Sequence, residues 1–261
     1  MGLQRRSAPS TVRASSVWAC LVTAVFFLSG PVAKAGEPSC RDVRFEGQNY
    51  STCSSGGNGL TLETFNLSKS GEPYRYFFGL EQELEDDGKT LRFAMNAGMY
   101  GEDFRPIGLY IEDGRQVKKL NRRNGGGNFH LKPNGVFYID NGKPGVMETE
   151  AFAKSGLKPD FASQSGPMLV VDGKLHPKFS ANGTSRKMRN GVGIDDKGRA
   201  VFVISEGPVT FYEFARLFRD GLNCRNALFF DGSISSLYAR ELGRNDSFLP
   251  LGPMVGAFES K

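Results

Sequence analysis

Polar side chains able to do chemistry recur in this chain at one kind of place, the end of a short apolar run. Asn96 closes LRFAMN, Gln164 and Ser165 close FASQS, Arg189 and Asn190 lead into NGVGI, Ser205 and Glu206 close AVFVISE, and Asp231, Ser233, Ser235 and Ser236 follow NALFF. Two carboxylates, one guanidinium and several amides and hydroxyls suit a sugar that carries an anionic substituent. Arg189 can fork onto phosphate oxygens, asparagine and serine can hold sugar hydroxyls, and Asp231 or Glu206 can activate water or stabilise an oxocarbenium-like centre. Asp231-Gly232 is equally compatible with a plain turn, with Ser233 or Ser235 capping the segment beyond it.

Other chemistries find less support. No histidine and cysteine cluster has metal-ligand spacing, so no cofactor is required; the scattered aspartates permit a divalent cation without predicting one. The glycine-rich NRRNGGGNFHLKPNG lacks the preceding strand, the following helix and the Lys-Ser or Lys-Thr pair of a phosphate-binding loop. A nucleophile at Cys224 would need a base from His130 or His176; a small buried core residue is the simpler reading, and both histidines read as structural or peripheral. Tyr100 and Tyr238 are the candidate sugar-stacking rings, whereas Phe229, Phe230 and the phenylalanines from Phe211 to Phe218 read as core.

The elements that must position these groups are mostly strands. Leu60 onward, Tyr74 to Leu80, Leu91 to Asn96, and a hairpin turning at Glu112-Asp113-Gly114 read as extended, with LEDDGKT (84–90) as a polar turn. Two further strands are expected in NFHLKPNGVFYIDNGK, with turns at Pro133-Asn134-Gly135 and Asp140-Asn141-Gly142. A helix is expected over Glu148 to Ser155, stopped by Gly156 with Pro159 beyond. Thr210 and Glu213 predict a capping box for a helix whose apolar face holds Phe211, Phe214, Ala215, Leu217 and Phe218. Ala227 to Phe230 reads as a buried central strand that delivers Asp231.

Residues 1–35 read as a secretory signal: Arg5, Arg6 and Arg13, then an apolar run from Val17 to Leu28, then Ala33-Lys34-Ala35. That run is too short for a comfortable membrane span, so no stable span is expected after cleavage, and the chain is expected to be periplasmic or secreted. The segment carries four of the net five positive charges, which leaves +1 for the remainder. Bulk charge therefore makes no case for nucleic acid or an anionic membrane. Cys20 would leave with the signal, and Cys40 and Cys53 are expected to form a disulfide. Residues 36–59 read as a polar N-terminal segment and 60–261 as one domain, with no linker or repeat.

Six segments in order, FAMNAGMY, RPIGLYIEDG, LNRRNGGGNFHLKPNGVF, QSGPMLVVDGKLHP, RNGVGID and NALFFDGSISSLY, resemble the bacterial branch of the phosphodiester glycosidase family. The resemblance covers roughly 91–258. It implies an α+β catalytic domain that hydrolyses a sugar-1-phosphodiester, expected here as a single domain with a mixed, largely antiparallel sheet and a few packed helices. Carried across by position, it implies site roles for Asn96 and Gly98, for Gly166 and Pro167, for Arg189 with Gly191, and for Asp231, Gly232, Ser235 and Ser236. Ser233 and Ala97 stand where many relatives have glycine. A phosphate monoester leaves as a stable anion, so Arg189 is expected to replace a strong general acid while Asp231 or Glu206 orients water or stabilises the anomeric carbon. The alternative from another class is a non-catalytic protein that binds a glycan phosphodiester during envelope polysaccharide assembly.

Overall fold

The computed structural model describes residues 1–2, 39–56 and 59–260, and the expected signal with Cys20 lies outside them apart from Met1 and Gly2. Among the described residues seventeen strands form three sheets, and every pairing between them is antiparallel. The first sheet runs Cys40–Phe45, Gln48–Ser54, Ala200–Ser205, Asn190–Ile194, Asn226–Phe229, Met168–Val171, Lys174–Leu175. The second runs Arg244–Asn245, Leu237–Ala239, Lys89–Asn96, Met254–Ser260, Thr61–Phe65, and the third runs Arg115–Lys118, Tyr110–Glu112, Phe161–Ser165, Gly135–Asp140, Lys143–Glu148. The fold is α+β, as expected, but among the described residues the strands divide into three antiparallel sheets rather than one mixed sheet.

The sheets share one interior. Phe202 of the first sheet lies 5.5 Å from the ring of Phe93 in the second and 5.7 Å from Phe137 in the third, within a buried cluster that also holds Met95, Val192, Leu228 and Val255. Truncating such a ring to alanine costs about 3–5 kcal/mol. Among the described residues each outer face is covered by an α-helix: Phe211–Arg216, continued by the π-helical turn Leu217–Gly221, through Phe214, Ala215, Leu217 and Phe218 on the first sheet, Phe77–Asp86 through Phe77, Leu80 and Leu84 on the second, and Thr149–Ser155 through Phe152 on the third. Wrapped inside and out, strands of the first sheet can be apolar on both faces, and Ala200–Ser205 is buried throughout.

Local chemistry set several boundaries as read. Glu148 caps the Thr149–Ser155 helix by accepting from the amides of Glu150 and Ala151, and Gly156 ends it at φ 72°. Thr210 and Glu213 form the expected capping box. Hairpins turn at Asp113-Gly114, Asn141-Gly142 and Asp172-Gly173, each pair with φ positive at both residues.

Three expectations fail. Tyr74 to Leu80 is not a strand: the helix Phe77–Asp86 occupies it, because Phe77, Leu80 and Leu84 fall on one helical face once the acidic stretch beyond is included. Asn128 to Leu131 is a turn rather than a strand. Residues 40–54 are not a polar preface to the domain. They form a hairpin, closed by the Cys40–Cys53 disulfide, whose Gln48–Ser54 strand pairs with Ala200–Ser205 as part of the first sheet. Among the described residues no helix is long and apolar enough to cross a membrane.

Candidate functional site

The three sheets bring strand ends to one junction. Asn96 ends the central strand of the second sheet, Asn190 begins a strand of the first, and Asp231 follows the strand Asn226–Phe229 beside it. Asn190 Nδ2 donates to Asn96 Oδ1 at 2.6 Å, and the Ser236 amide donates to the same oxygen at 3.0 Å. Asn190 Oδ1 accepts the Asp231 amide at 3.0 Å, while the Asn190 backbone exchanges hydrogen bonds with Phe230 and Asp231. The third sheet joins through Ser165, whose hydroxyl donates to the Phe230 carbonyl at 2.9 Å. A buried amide pair thus aligns the sheets and fixes the approach to Asp231.

One side-chain donor and a carboxylate stay available there. Both donors to Asn96 lie on its oxygen, which leaves its buried Nδ2 with no partner among the described residues. Burial pushes the Asp231 carboxyl above the usual carboxylate range, and amides of Ser233, Gly232 and Ile234 aimed at it pull the other way. Ser233 N–H donates to Asp231 Oδ1 at 2.8 Å, and the Ser235 hydroxyl is taken by the Asp231 carbonyl at 2.9 Å. Tyr100 sits close enough for the Asp231 charge to act on it. Burial, then that charge, push its phenol up to about 12, and the hydroxyl donates to the Pro250 carbonyl at 2.7 Å.

Arg189 is 1% exposed and has no carboxylate partner among the described residues. Its guanidinium lies 3.6 Å from the centre of the Phe211 ring and 5.6 Å from that of Phe229. Phe179 stacks behind Phe211 at 4.9 Å and His176 behind Phe179 at 4.6 Å, so a column of rings holds the cation from one side. Nε and Nη2 donate to the carbonyls of Val209 and Ser185 at 2.9 and 3.0 Å. Burial pulls the guanidinium down to about 10, still charged at neutral pH. Nη1 faces Gly232: a β-carbon there would lie 3.8 Å from Nη1, 3.2 Å from Met188 O and 3.3 Å from the Phe229 ring. Glycine at 232 keeps the space between the cation and the Asp231 turn open.

The other predicted residues divide. Gly98, at φ +100°, has no room for a side chain, since a β-carbon would lie 2.9 Å from Ser163 Oγ and 3.2 Å from the Gln164 carbonyl. Gly166 likewise presses on Asn134 and Phe129. Ser236 contributes its amide to the junction, and Ser233 is exposed at its rim. Gln164 is a structural clamp rather than a ligand group: Oε1 accepts from Leu109 N and Asn121 N at 2.9 and 2.8 Å, and Nε2 donates to Asn121 O at 2.8 Å. Glu206 bonds to Ser51 and Arg244 and lines a separate groove with Asp42, Asn49 and Arg244. The Gln48–Ser54 strand draws it there, with the Glu206 amide donating to Asn49 O at 2.9 Å. Tyr238 is buried against Phe77 and donates to Glu81, on the far side of the second sheet. Cys224 is a buried thiol that burial pushes up to about 12, bonded only to Leu222 O, which suits a core residue. The parts missed from the sequence are the Phe211–Phe179–His176 column and the carbonyls that hold Arg189. Phe211, 22 positions along, carries no signal that separates it from the other core phenylalanines.

A family model described as phosphodiester glycosidase matches residues 89–250, which contain Asn96, Arg189, Asn190 and Asp231. The uncharacterized protein YigE of Escherichia coli strain K12 is 41% identical over 171 residues, 66% of this chain and 66% of that one. The chain thus spans just under two thirds of that relative's length. Among solved structures, the catalytic domain of zebrafish N-acetylglucosamine-1-phosphodiester alpha-N-acetylglucosaminidase is similar over 84% of this chain and 81% of its own, with a TM-score of 0.58 and 14% identity. A hypothetical protein from Synechocystis is similar over 84% of this chain and 61% of its own, with a TM-score of 0.54 and 14% identity. At these identities the likeness to the two structures is one of fold.

Proposed function

The chain belongs to the phosphodiester glycosidase family, and on that premise we propose that it hydrolyses a sugar-1-phosphodiester in a cell-surface glycan, with Arg189 holding the phosphate and Asp231 acting at the sugar. The observation that carries this reading is the buried Arg189, charged, held by rings and carbonyls, and without a carboxylate among the described residues. A fold bears that burial cost where an anionic ligand supplies the countercharge. Phosphate oxygens facing Nη1 across Gly232 would do so, and the scissile C1–O bond would then lie toward the Asp231 turn.

The leaving group is a phosphate monoester, already a stable anion, and its developing charge falls on the guanidinium. Proton donation to it is then unnecessary, which fits a site where Asp231 is the carboxylate at the junction. Asp231 in its ionised form would draw a proton from water or stabilise positive charge at the anomeric carbon, and its raised pKa makes it the stronger base. Asn96 Nδ2 would hold a sugar hydroxyl. Glu206, tied to Arg244 and Ser51, is left outside the reaction. Export to the periplasm or medium is part of the proposal, supported by the signal-like residues 1–35 and by the Cys40–Cys53 disulfide.

The test is to incubate the purified protein, with and without a chelator, with a panel of sugar-1-phosphodiesters and matched p-nitrophenyl glycosides, following free sugar and phosphomonoester. Release from the diesters that disappears in Asp231→Asn is expected. Cleavage of plain glycosides alone would indicate an ordinary glycosidase on this fold, and saturable binding without product would indicate a glycan-binding protein.

A further inference from the structure

Next to the junction, the loop after Asn96 folds back on itself. Ile107 N–H donates to Met99 O at 3.2 Å, Gly101 N–H to Arg105 O at 3.0 Å, and Tyr100 bridges Pro106, so 98–107 forms an outgoing and a returning limb. The outgoing limb carries Tyr100, on which the Asp231 charge acts. The returning limb, Arg105 to Ile107, lines a surface groove with Val117 and Lys118. That groove continues through Ile107, Val117 and Lys118 into a second one lined by Lys119, Arg122 and Arg123.

Five cations, Arg105, Lys118, Lys119, Arg122 and Arg123, therefore face one continuous channel whose lining includes a single acid, Asp103. Arg122 is paired with Glu150 at 2.9 Å from its Nε, but Arg105, Lys118, Lys119 and Arg123 have no ion-pair partner among the described residues. With a net charge of only +1 outside residues 1–35, this is a local concentration of positive charge rather than a share of a general excess. The channel is also held firmly. Asn121 Nδ2 donates to Ile107 O at 3.2 Å, and Gln164 clamps Asn121 and Leu109 to the strand Phe161–Ser165, whose last residue bonds to Phe230 beside Asp231. Gln164, expected to touch substrate, instead fixes the cationic channel relative to the site.

We infer that this channel binds the polyanionic chain of the substrate, so that the natural substrate is a glycan with repeated negative charges, a class that includes repeating phosphodiester polymers. The inference rests on the sugar-phosphodiester reading of the site and adds the substrate's length and charge. A single phosphate does not account for the arrangement, because the five cations are spread along two grooves that share only Ile107, Val117 and Lys118. Counterion release from a polyanion laid along it makes binding steeply salt-dependent.

The experiment uses the full chain and fluorescently labelled poly(glycerol phosphate), with neutral dextran as control and duplex DNA as a competitor of the same charge. The polymer is expected to bind and dextran not, with affinity falling as salt rises. The variant Lys118→Glu/Lys119→Glu/Arg123→Glu should lose about tenfold or more of that affinity in low salt. Its melting temperature and its turnover of a short sugar-1-phosphodiester should match wild type, since all three side chains are exposed and outside the junction. Equal affinity in the variant and wild type would overturn the inference, as would DNA displacing the polymer at lower concentration than unlabelled polymer does. If no small diester is cleaved yet charge reversal still abolishes polymer binding, the catalytic reading fails and the channel stands.

Discussion

Arg189 is buried and Arg244 partly buried, and the fold treats the two in opposite ways. Burial opposes the charge of both. At Arg244, Asp246 at 2.9 Å and Glu206 more than restore it, so that guanidinium is held above its ordinary range. At Arg189 no carboxylate answers among the described residues, and the guanidinium falls to about 10. Arg244 ties the hairpin at Ser51 to the Leu237–Ala239 strand, because Asp246 also accepts the Leu237 amide at 3.0 Å. Arg189 ties nothing by charge. A partly buried cation with carboxylate partners is part of the scaffold; a buried one held by rings and carbonyls is left for a ligand.

The sharpest way to break this contrast is to replace each arginine by methionine, which keeps most of the volume. Arg189→Met should lower kcat/KM on a sugar-1-phosphodiester by about 10²–10³-fold while the melting temperature holds or rises. Arg244→Met should do the reverse, losing about 1–3 kcal/mol of stability, because Glu206 and Asp246 are left without a cation, with turnover per folded molecule retained. A drop in stability at Arg189 with turnover intact would end the comparison.

The contrast extends to the buried amides. Gln164 has its oxygen and nitrogen both bonded, like Arg244, whereas Asn96 keeps an Nδ2 with no partner among the described residues, like Arg189. Gln164→Ala strips partners from two amides and a carbonyl and should cost about 2–4 kcal/mol by chemical denaturation, with kcat on a short diester unchanged where the variant is folded. A fall in kcat without a fall in stability would return Gln164 to the site.

The smallest effect concerns Asp231 and stability alone. Its folded pKa is raised, so the fold favours the protonated form; that contribution is complete below the unfolded value near about pH 4 and is lost as pH rises through the folded value. Asp231→Asn removes the penalty and should melt at or above the wild-type temperature at pH 7, with the gap closing toward pH 3. A lower melting temperature at pH 7 would make Asp231 a structural carboxylate.

What the sequence determined by itself was whatever is decided within a few residues. Glu148 and Gly156 bound one helix and Thr210 with Glu213 opens another, because a cap needs only its own turn. Asp113-Gly114 and Asp172-Gly173 fix their hairpins because both positions demand positive φ. Asn96, Asn190 and Asp231 were legible as polar residues at strand ends, and the family resemblance grouped Asn96 and Asp231 with Arg189. Tertiary structure alone decided which strand-end groups meet. A polar residue past the last ladder bond is no longer held to the alternation of its strand, and its direction follows the neighbour that pairs there. For Glu206 that neighbour is the 40–54 hairpin, read from the sequence as lying outside the domain, which draws it to Arg244 and away from Asp231. The state of Arg189 was equally hidden. Burial without a carboxylate depends on Phe211, Val209 and Gly232, positions 20 to 43 residues away that only the packed sheets bring to one guanidinium.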